Sequence, residues 1–353
     1  MKVKVFDFFS GCGGASRGFQ AAGMDIAFAL DCDADAKRTF VANFPDADFQ
    51  LGKIEDAELD HLSTLAKAAR PNPLLFCGCA PCQPFTKQNT THPAVDDDDR
   101  VPLLLRFADI VEACQPDLVF VENVPGMQNF DSASQPFGSF LKRLQDCGYQ
   151  PDFAPVRLMK YGVPQSRRRL VFVASRHGDI RLPPATHGPG APNERYETVR
   201  DWIEHLPPIE AGETHSQVPN HRSARLSDLN LERMKATPEG GSHRDWPERL
   251  QLACHKDFAG YSDVYGRMAW DAPASGLTTR CISYSNGRFG HPKQHRAISV
   301  REAACLQTFP EDFVFEGSLG SMARQIGNAV PVRLAKVVGD HFLEHLSNAG
   351  VMS

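Results

Sequence analysis

The 353-residue chain predicts an α/β fold, a doubly wound and mostly parallel sheet joined to a smaller loop-rich domain. Three observations carry that expectation. Over roughly the first 180 residues, short apolar runs alternate with stretches of helical periodicity, the pattern of parallel strands linked by crossover helices. From about 180 to 295 that periodicity gives way to stretches rich in Pro, Gly and His. After 296 helical patterns return, so the end of the chain is expected to pack back on its beginning. The expected divisions are 1–180, 181–315 and 316–353.

Taken in order, VKVFDFF forms the first strand and a helical pattern follows over 14–22. DIAFALD precedes a second helix at 34–43. PLLFCGC is followed by a helix at 101–114, PDLVFVENV by one near 137–147, and RLVFVAS adds a further strand. RLPPATHGPGAPNERYE, HLPPIEAGETHSQVPN and TPEGGSHRDWPERL build the loop-rich part, whereas SVREAACLQTF and MARQIGNAVPVRLAKVVGDHFLEHL are helical again. Ligands of such a sheet sit beyond the carboxyl ends of its strands, so chemistry is expected just after each apolar run.

Composition bounds the function. The net charge of −5 argues against a general polyanion binder, yet residues 151–301 hold 22 Lys/Arg against 16 Asp/Glu, a local excess suited to a confined nucleic-acid face. Ordinary surface charge is an equal alternative. The ten cysteines show no regular framework, which points to free thiols in a reducing cytoplasm. The short opening apolar run carries Asp7 and reads as a strand, not a signal peptide, and no run approaches the ~20 residues that cross a bilayer.

The first strand ends in DFFSGCGGASRGF, where Gly11, Gly13 and Gly14 permit a tight turn against a ligand. Asp31, about 20 residues on, is placed to bind a ribose, but Ser16 stands where a dinucleotide fingerprint has its third glycine. A nucleoside cofactor lacking a pyrophosphate, such as S-adenosyl-L-methionine, therefore fits better than NAD. The absence of a following Lys-Ser/Thr pair excludes a P-loop.

LLFCGCAPCQPF places Cys82 between Pro81 and Gln83, beyond the end of an apolar strand where a nucleophilic thiolate belongs. Cys77 and Cys79 read as small buried hydrophobes. Zinc would need a second ligand pair. HPKQH at 291–295 has the His spacing with only isolated Cys254 and Cys281 upstream, so no metal is expected. Glu122 and Asn123 end the next strand, where a carboxylate is either a paired structural acid or a catalytic one. In QSRRR, spacing along an extended chain sends Arg167 and Arg169 to one side and Arg168 to the other, so two of the three can share a site.

Taken together these segments resemble the cytosine-5 DNA methyltransferases. DFFSGCGG is similar to that family's cofactor loop, GCAPCQPF to its Pro-Cys-Gln nucleophile motif, and VENV to its Glu-Asn-Val motif. QSRRR is similar to Gln-x-Arg-x-Arg, SVREAACLQTFP to the motif that organises the recognition lobe, and RQIGNAVP to the closing Gly-Asn-Ala-Val-Pro motif.

The resemblance implies a Rossmann-like fold dependent on S-adenosyl-L-methionine, with 1–180 catalytic and cofactor-binding, 181–315 target-recognising and 316–353 packed back on the catalytic part. It implies Cys82 as the nucleophile that adds to C6 of a flipped-out cytosine, Glu122 as the acid at N3, and Arg167 and Arg169 as groups that orient the base. It assigns Phe9, Gly11, Gly13, Gly14, Asp31, Pro81 and Asn328 to the cofactor, whose product is S-adenosyl-L-homocysteine. The implied partner is double-stranded DNA, with the protein a cytoplasmic monomer, away from membranes, accompanied in a restriction–modification setting by an endonuclease for the same site.

Segment 83–100 is similar to a loop that closes on the base, although its acidic run Asp96–Asp99 is most simply a solvated loop. Two departures stand out: Lys53 occupies the place of an acid that contacts adenine, and Cys305 that of a frequent arginine. Within 181–295, Arg280, Asn286 and Arg288 are candidates for base or phosphate contacts. The rival readings are a tRNA cytosine-5 methyltransferase, a catalytically silent DNA-binding module, and a cysteine hydrolase. The first lacks its Cys-Phe-Thr segment here, the second predicts loss of Cys82 or Glu122, and the third needs a histidine base where only loop residue His92 is near.

Overall fold

A computed structural model describes residues 1–80, 101–127, 136–252 and 263–352. Backbone contacts divide the chain into two compact units. One comprises Met1–Arg157, Arg168–Ala185 and Val330–Ser353, and the other Leu158–Arg167 and Thr186–Ala329.

The first unit is a doubly wound α/β sheet. Its strands are β1 (Lys4–Phe8), β2 (Asp25–Asp31), β3 (Asp48–Leu51), β4 (Leu74–Gly78), β5 (Leu118–Asn123), β6 (Gln150–Arg157) and β7 (Arg168–Ser175), in the order β3-β2-β1-β4-β5-β7-β6. The first five run parallel, whereas β7 is antiparallel to both β5 and β6. The order reverses between β1 and β4, which opens a crevice at their carboxyl ends, the place where such sheets bind ligands.

Helices α1 (Gly14–Ala21), α2 (Ala34–Asn43), α3 (Leu59–Ala69), α4 (Val101–Cys114) and α5 (Pro136–Asp146) join the strands. α6 (Val199–Ile203), α7 (Asp228–Ala236), α8 (Val300–Leu306) and α9 (Leu319–Asn328) belong to the second unit, and α10 (Val332–Asn348) returns to the first.

Strands covered on both faces must be apolar along their length, and β4 is buried at every position. One face packs Phe6, Phe8, Phe28, Phe76, Phe107 and Phe172 into a phenylalanine-rich core. On the other, Phe19 of α1 meets Phe120 of β5 edge to face at 5.4 Å. A Cβ on Gly18 would lie 2.4 Å from the Val332 carbonyl oxygen, so only glycine allows α10 so close to α1. Caps follow from sequence: the Asp33 side chain accepts from Asp35 N and Ala36 N at the start of α2.

In the first unit two elements fall outside the sequence expectation, helix α3 and the edge strand β6, whose Pro151 and Pro155 argue against a strand by composition, and in the second unit helices α6 and α7 do so as well. Proline is tolerated in β6 because an outer strand leaves one row of N–H groups unpaired.

The second unit has little regular structure, and buried arginines serve the carbonyls that a sheet would otherwise pair. Arg267 donates to Thr237 O (2.8 Å), Met234 O (2.6 Å) and His291 O (2.6 Å). Arg301 donates to Pro219 O (2.9 Å) and Phe313 O (2.8 Å). Arg296, fully buried, forks onto Glu302 at 2.6 Å through both terminal nitrogens. Much of the positive excess of 151–301 is therefore spent inside the unit. Arg288 is likewise committed, to Gly240 O (2.6 Å), Gly241 O (2.8 Å) and Asp263. No helix among the described residues is long and apolar enough to cross a membrane.

Candidate active site at the carboxyl edge of the sheet

The turn after β1 is built by its glycines. Gly11 (φ +53°) and Gly13 (φ +94°) take the left-handed backbone, and a Cβ on Gly13 would lie 2.5 Å from the ring of Phe44. Phe9 shares that conformation (φ +60°), which is strained for a bulky residue and concentrates at functional turns. Gly14 begins α1.

Asp31 closes the turn from β2. Its Oδ2 accepts from Gly11 N (2.8 Å) and its Oδ1 from Asp33 N (2.8 Å), leaving acceptor capacity on both oxygens. Burial raises its pKa against these hydrogen bonds. Beside it the buried Ser10 hydroxyl has no hydrogen-bond partner among the described residues, and the space where a Gly11 side chain would stand is open. An acceptor carboxylate, an orphaned hydroxyl and an open backbone fit a nucleoside ligand.

The departure at the third glycine position has a structural reason. Ser16 Oγ donates to Asp7 Oδ2 at 2.6 Å, and both residues are fully buried under the turn. Burial lifts the Asp7 pKa to about 6, opposed by hydrogen bonds from Ser16 and Cys77. In the sequence the signal for this pair is a charged residue, Asp7, inside an apolar run.

At the ends of β4 and β5, Asn123 Nδ2 donates to Ala80 O (3.0 Å) and its Oδ1 accepts from Val124 N (2.8 Å), fixing the chain just before Pro81 and Cys82. Those two residues lie outside the described ones, as does the 83–100 segment with its acidic run. Cys77 is buried, and Cys79 is half-buried. The hydrogen bond with Cys77 lowers the Cys79 pKa, but burial and nearby Glu122 leave it raised.

Glu122 meets Arg169 through a 2.7 Å contact between Oε1 and Nε, with side chains 11% and 12% exposed. Burial drives the Glu122 pKa up to about 7, and the Arg169 charge and hydrogen bond hold it back from going further. A carboxyl poised near neutrality at the end of a parallel strand can give or hold a proton.

Arg167 belongs to the second unit, where it donates to Leu277 O (2.5 Å) and Gly327 O (3.3 Å). Gln165 is buried there too, bound to Leu306 O (2.8 Å) and Gln307 Oε1 (2.5 Å). Asn328 ends α9 exposed, next to Gly327, where a Cβ would come within 2.2 Å of Thr278 O. Lys53 is exposed. The His291 ring accepts from Lys293 N (3.1 Å) and Gln294 N (2.9 Å), and Cys281 is buried against Ala323 O. No group of three or more His, Cys, Asp or Glu side chains placed to hold a metal occurs among the described residues.

The sequence profile of the C-5 cytosine-specific DNA methylases matches residues 3–344. The chain belongs to this family. Its sequence is 38% identical over 358 residues to the Type II methylase M.HgiDII of Herpetosiphon aurantiacus, covering 97% of this chain and 96% of that protein. It is 31% identical to the Type II methyltransferase M1.HphI of Haemophilus parahaemolyticus, over 99% of this chain and 88% of the relative. Among solved structures, a protein encoded within an Escherichia coli prophage and described as a DNA modification methyltransferase shares the fold with a TM-score of 0.76 at 22% identity, over 98% of this chain and 100% of that one. The Entamoeba histolytica methyltransferase EhMeth does so with a TM-score of 0.64 at 17% identity, over 99% and 98%.

As a DNA cytosine-5 methyltransferase, this family member has DNA as substrate and uses S-adenosyl-L-methionine, for which the β1 turn offers a fitting cradle.

Proposed function

We propose that the chain methylates C5 of a cytosine flipped out of a short duplex site, through a transient bond between Cys82 Sγ and C6 of the ring. C5 is too electron-poor to attack a methyl donor directly. Addition of the thiolate at C6 makes C5 enamine-like. Loss of the C5 proton after methylation then expels the thiolate and restores aromaticity.

The observation that carries this reading is the buried Glu122–Arg169 pair, with a carboxyl held near neutrality. Glu122 protonates or hydrogen-bonds N3 and so makes the ring a better acceptor for sulfur. Arg169 and Arg167 orient the base and stabilise charge that develops on it.

Phe9, Gly11, Gly13, Gly14, Asp31, Pro81 and Asn328 would hold S-adenosyl-L-methionine, which supplies an electrophilic methyl group when bound. Asp31 accepts the ribose hydroxyls, and the Gly11 backbone lets the ligand approach. Residues 1–180 form the catalytic part, 181–315 read the DNA site, and 316–353 complete the catalytic part.

The chain acts as a cytoplasmic monomer, and its Type II methylase relatives support a pairing with a restriction endonuclease of the same site. Bisulfite sequencing of DNA from cells expressing the chain tests the activity. Protected cytosines in one short sequence context are expected, and uniform conversion would reject the reading.

A further inference from the structure

Four side chains without a part in the chemistry above connect the turn after β1 to the backbone of Glu122. Along the parallel register Asp7 lies beside Cys77 and Cys77 beside Phe120, so Asp7, Cys77 and Glu122 share one face of the sheet. The β4–β5 ladder ends at the Cys77–Phe120 pair. Beyond it the Glu122 N–H donates to Cys79 Sγ at 3.4 Å.

Cys79 Sγ lies 3.8 Å from Cys77 Sγ, Cys77 stands beside Asp7 in the ladder, where its thiol lowers the Asp7 pKa, and Ser16 Oγ donates to the Asp7 carboxylate at 2.6 Å. Ser16 stands in the first turn of α1, directly after the glycine turn.

Inventory fixes the direction at the carboxylate and at the Glu122 N–H. An ionised carboxylate only accepts, so Ser16 donates to Asp7. Between Cys77 and Cys79 either sulfur can be the donor. Cys79 in turn accepts from the Glu122 N–H. Asp7, Ser16 and Cys77 are each no more than 1% exposed. Water has little access to these three.

We propose that Ser16, Asp7, Cys77 and Cys79 form a strut that holds the cofactor turn and the Glu122 backbone in register, which makes Cys79 and Ser16 positioning residues for methyl transfer. The inference rests on Glu122 acting on the target base as proposed above. A sulfur replaces the ladder carbonyl that Glu122 N–H would otherwise meet, so the reach of Glu122 toward a base depends on the chain that ends at Asp7.

The test is steady-state transfer of labelled methyl groups to duplex DNA by the full chain. Cys79→Ala should lower kcat about tenfold with the KM for DNA unchanged, the effect of one lost buried hydrogen bond and an orphaned N–H. Cys79→Ser, which can both donate and accept, should recover part of that loss.

Ser16→Ala should mainly raise the KM for S-adenosyl-L-methionine. Ser16 and Cys79 bond to different members of the strut, so independent effects would multiply in the double variant, whereas the strut predicts that they do not. Multiplying losses in kcat/KM, or a kcat for Cys79→Ala within about twofold of the parent, would overturn the strut. If Cys79→Ala fails to fold, the comparison of Cys79→Ser with Ser16→Ala decides in the same way. Glu122→Gln separates the two readings: full activity there removes the role given to Glu122, while an inactive Glu122→Gln beside an unimpaired Cys79→Ala removes only the strut.

Discussion

Arg169 reaches Glu122 diagonally across an antiparallel ladder: Glu122 pairs with Val171, and the guanidinium two residues before Val171 lies 2.7 Å from the carboxylate on the same face. The arginine is thereby held against the acid instead of facing solvent. Arg169→Ala should push the Glu122 pKa further up and remove the donor proposed to orient the base. Covalent trapping on duplex DNA containing 5-fluorocytosine should slow by about 10²-fold, with Arg169→Lys intermediate because a point charge cannot reproduce the fork.

The Glu122 pKa of about 7 gives the addition step a pH limb. The protonated acid is the assisting form, so the trapping rate should fall as pH rises through 7, and Glu122→Gln should be slow and lack that limb. The folded chain also holds this proton more tightly than the unfolded chain, so the contribution to stability is lost as pH rises from about 4.5 to 7. Thermal midpoints of parent and Glu122→Gln across that range check the sign.

Asp31 has its carboxylate pinned by two backbone N–H groups with acceptor capacity left over. Asp31→Ala should weaken binding of S-adenosyl-L-homocysteine by about 10- to 100-fold, the worth of one or two charge-assisted hydrogen bonds, while DNA binding is kept. Titration calorimetry of the two ligands separates these outcomes.

Gly327 leaves no room for a side chain, since a Cβ would stand 2.2 Å from the Thr278 carbonyl oxygen. Gly327→Ala should cost about 1–3 kcal/mol of stability, as overpacking does, and lower the melting temperature of the second unit. A control at Gly320, where nothing lies within 4 Å, should be close to neutral.

The alternation of apolar runs and helical patterns made the parallel sheet legible, because strands covered on both faces must be apolar throughout. β6 was not legible: Pro151 and Pro155 speak against a strand unless its edge position is already known. The motifs located Glu122 and Asp31 at the carboxyl edge of the sheet, but spacing does not show the partners of the arginines, Glu122 for Arg169 and the carbonyls of Leu277 and Gly327 for Arg167.

Charge counting over 151–301 cannot separate buried from exposed arginines, for a related reason. Sequence shows how many arginines there are, but whether Arg267, Arg296 and Arg301 face solvent or loop carbonyls depends on long-range packing. Ser16 read as a defect in a fingerprint because its partner Asp7 lies nine residues earlier, on a strand and not along the helix.

The most direct test is whether the sulfur of Cys82 bonds to the target ring. Intact-protein mass spectrometry after incubation with S-adenosyl-L-methionine and duplex DNA bearing 5-fluorocytosine in the methylated context should show a one-to-one adduct mapping to the peptide that contains Cys82. Cys82→Ser should give no adduct and no methyl transfer while still binding S-adenosyl-L-homocysteine. Undiminished methylation by Cys82→Ser, or an adduct on a different residue, would contradict the account.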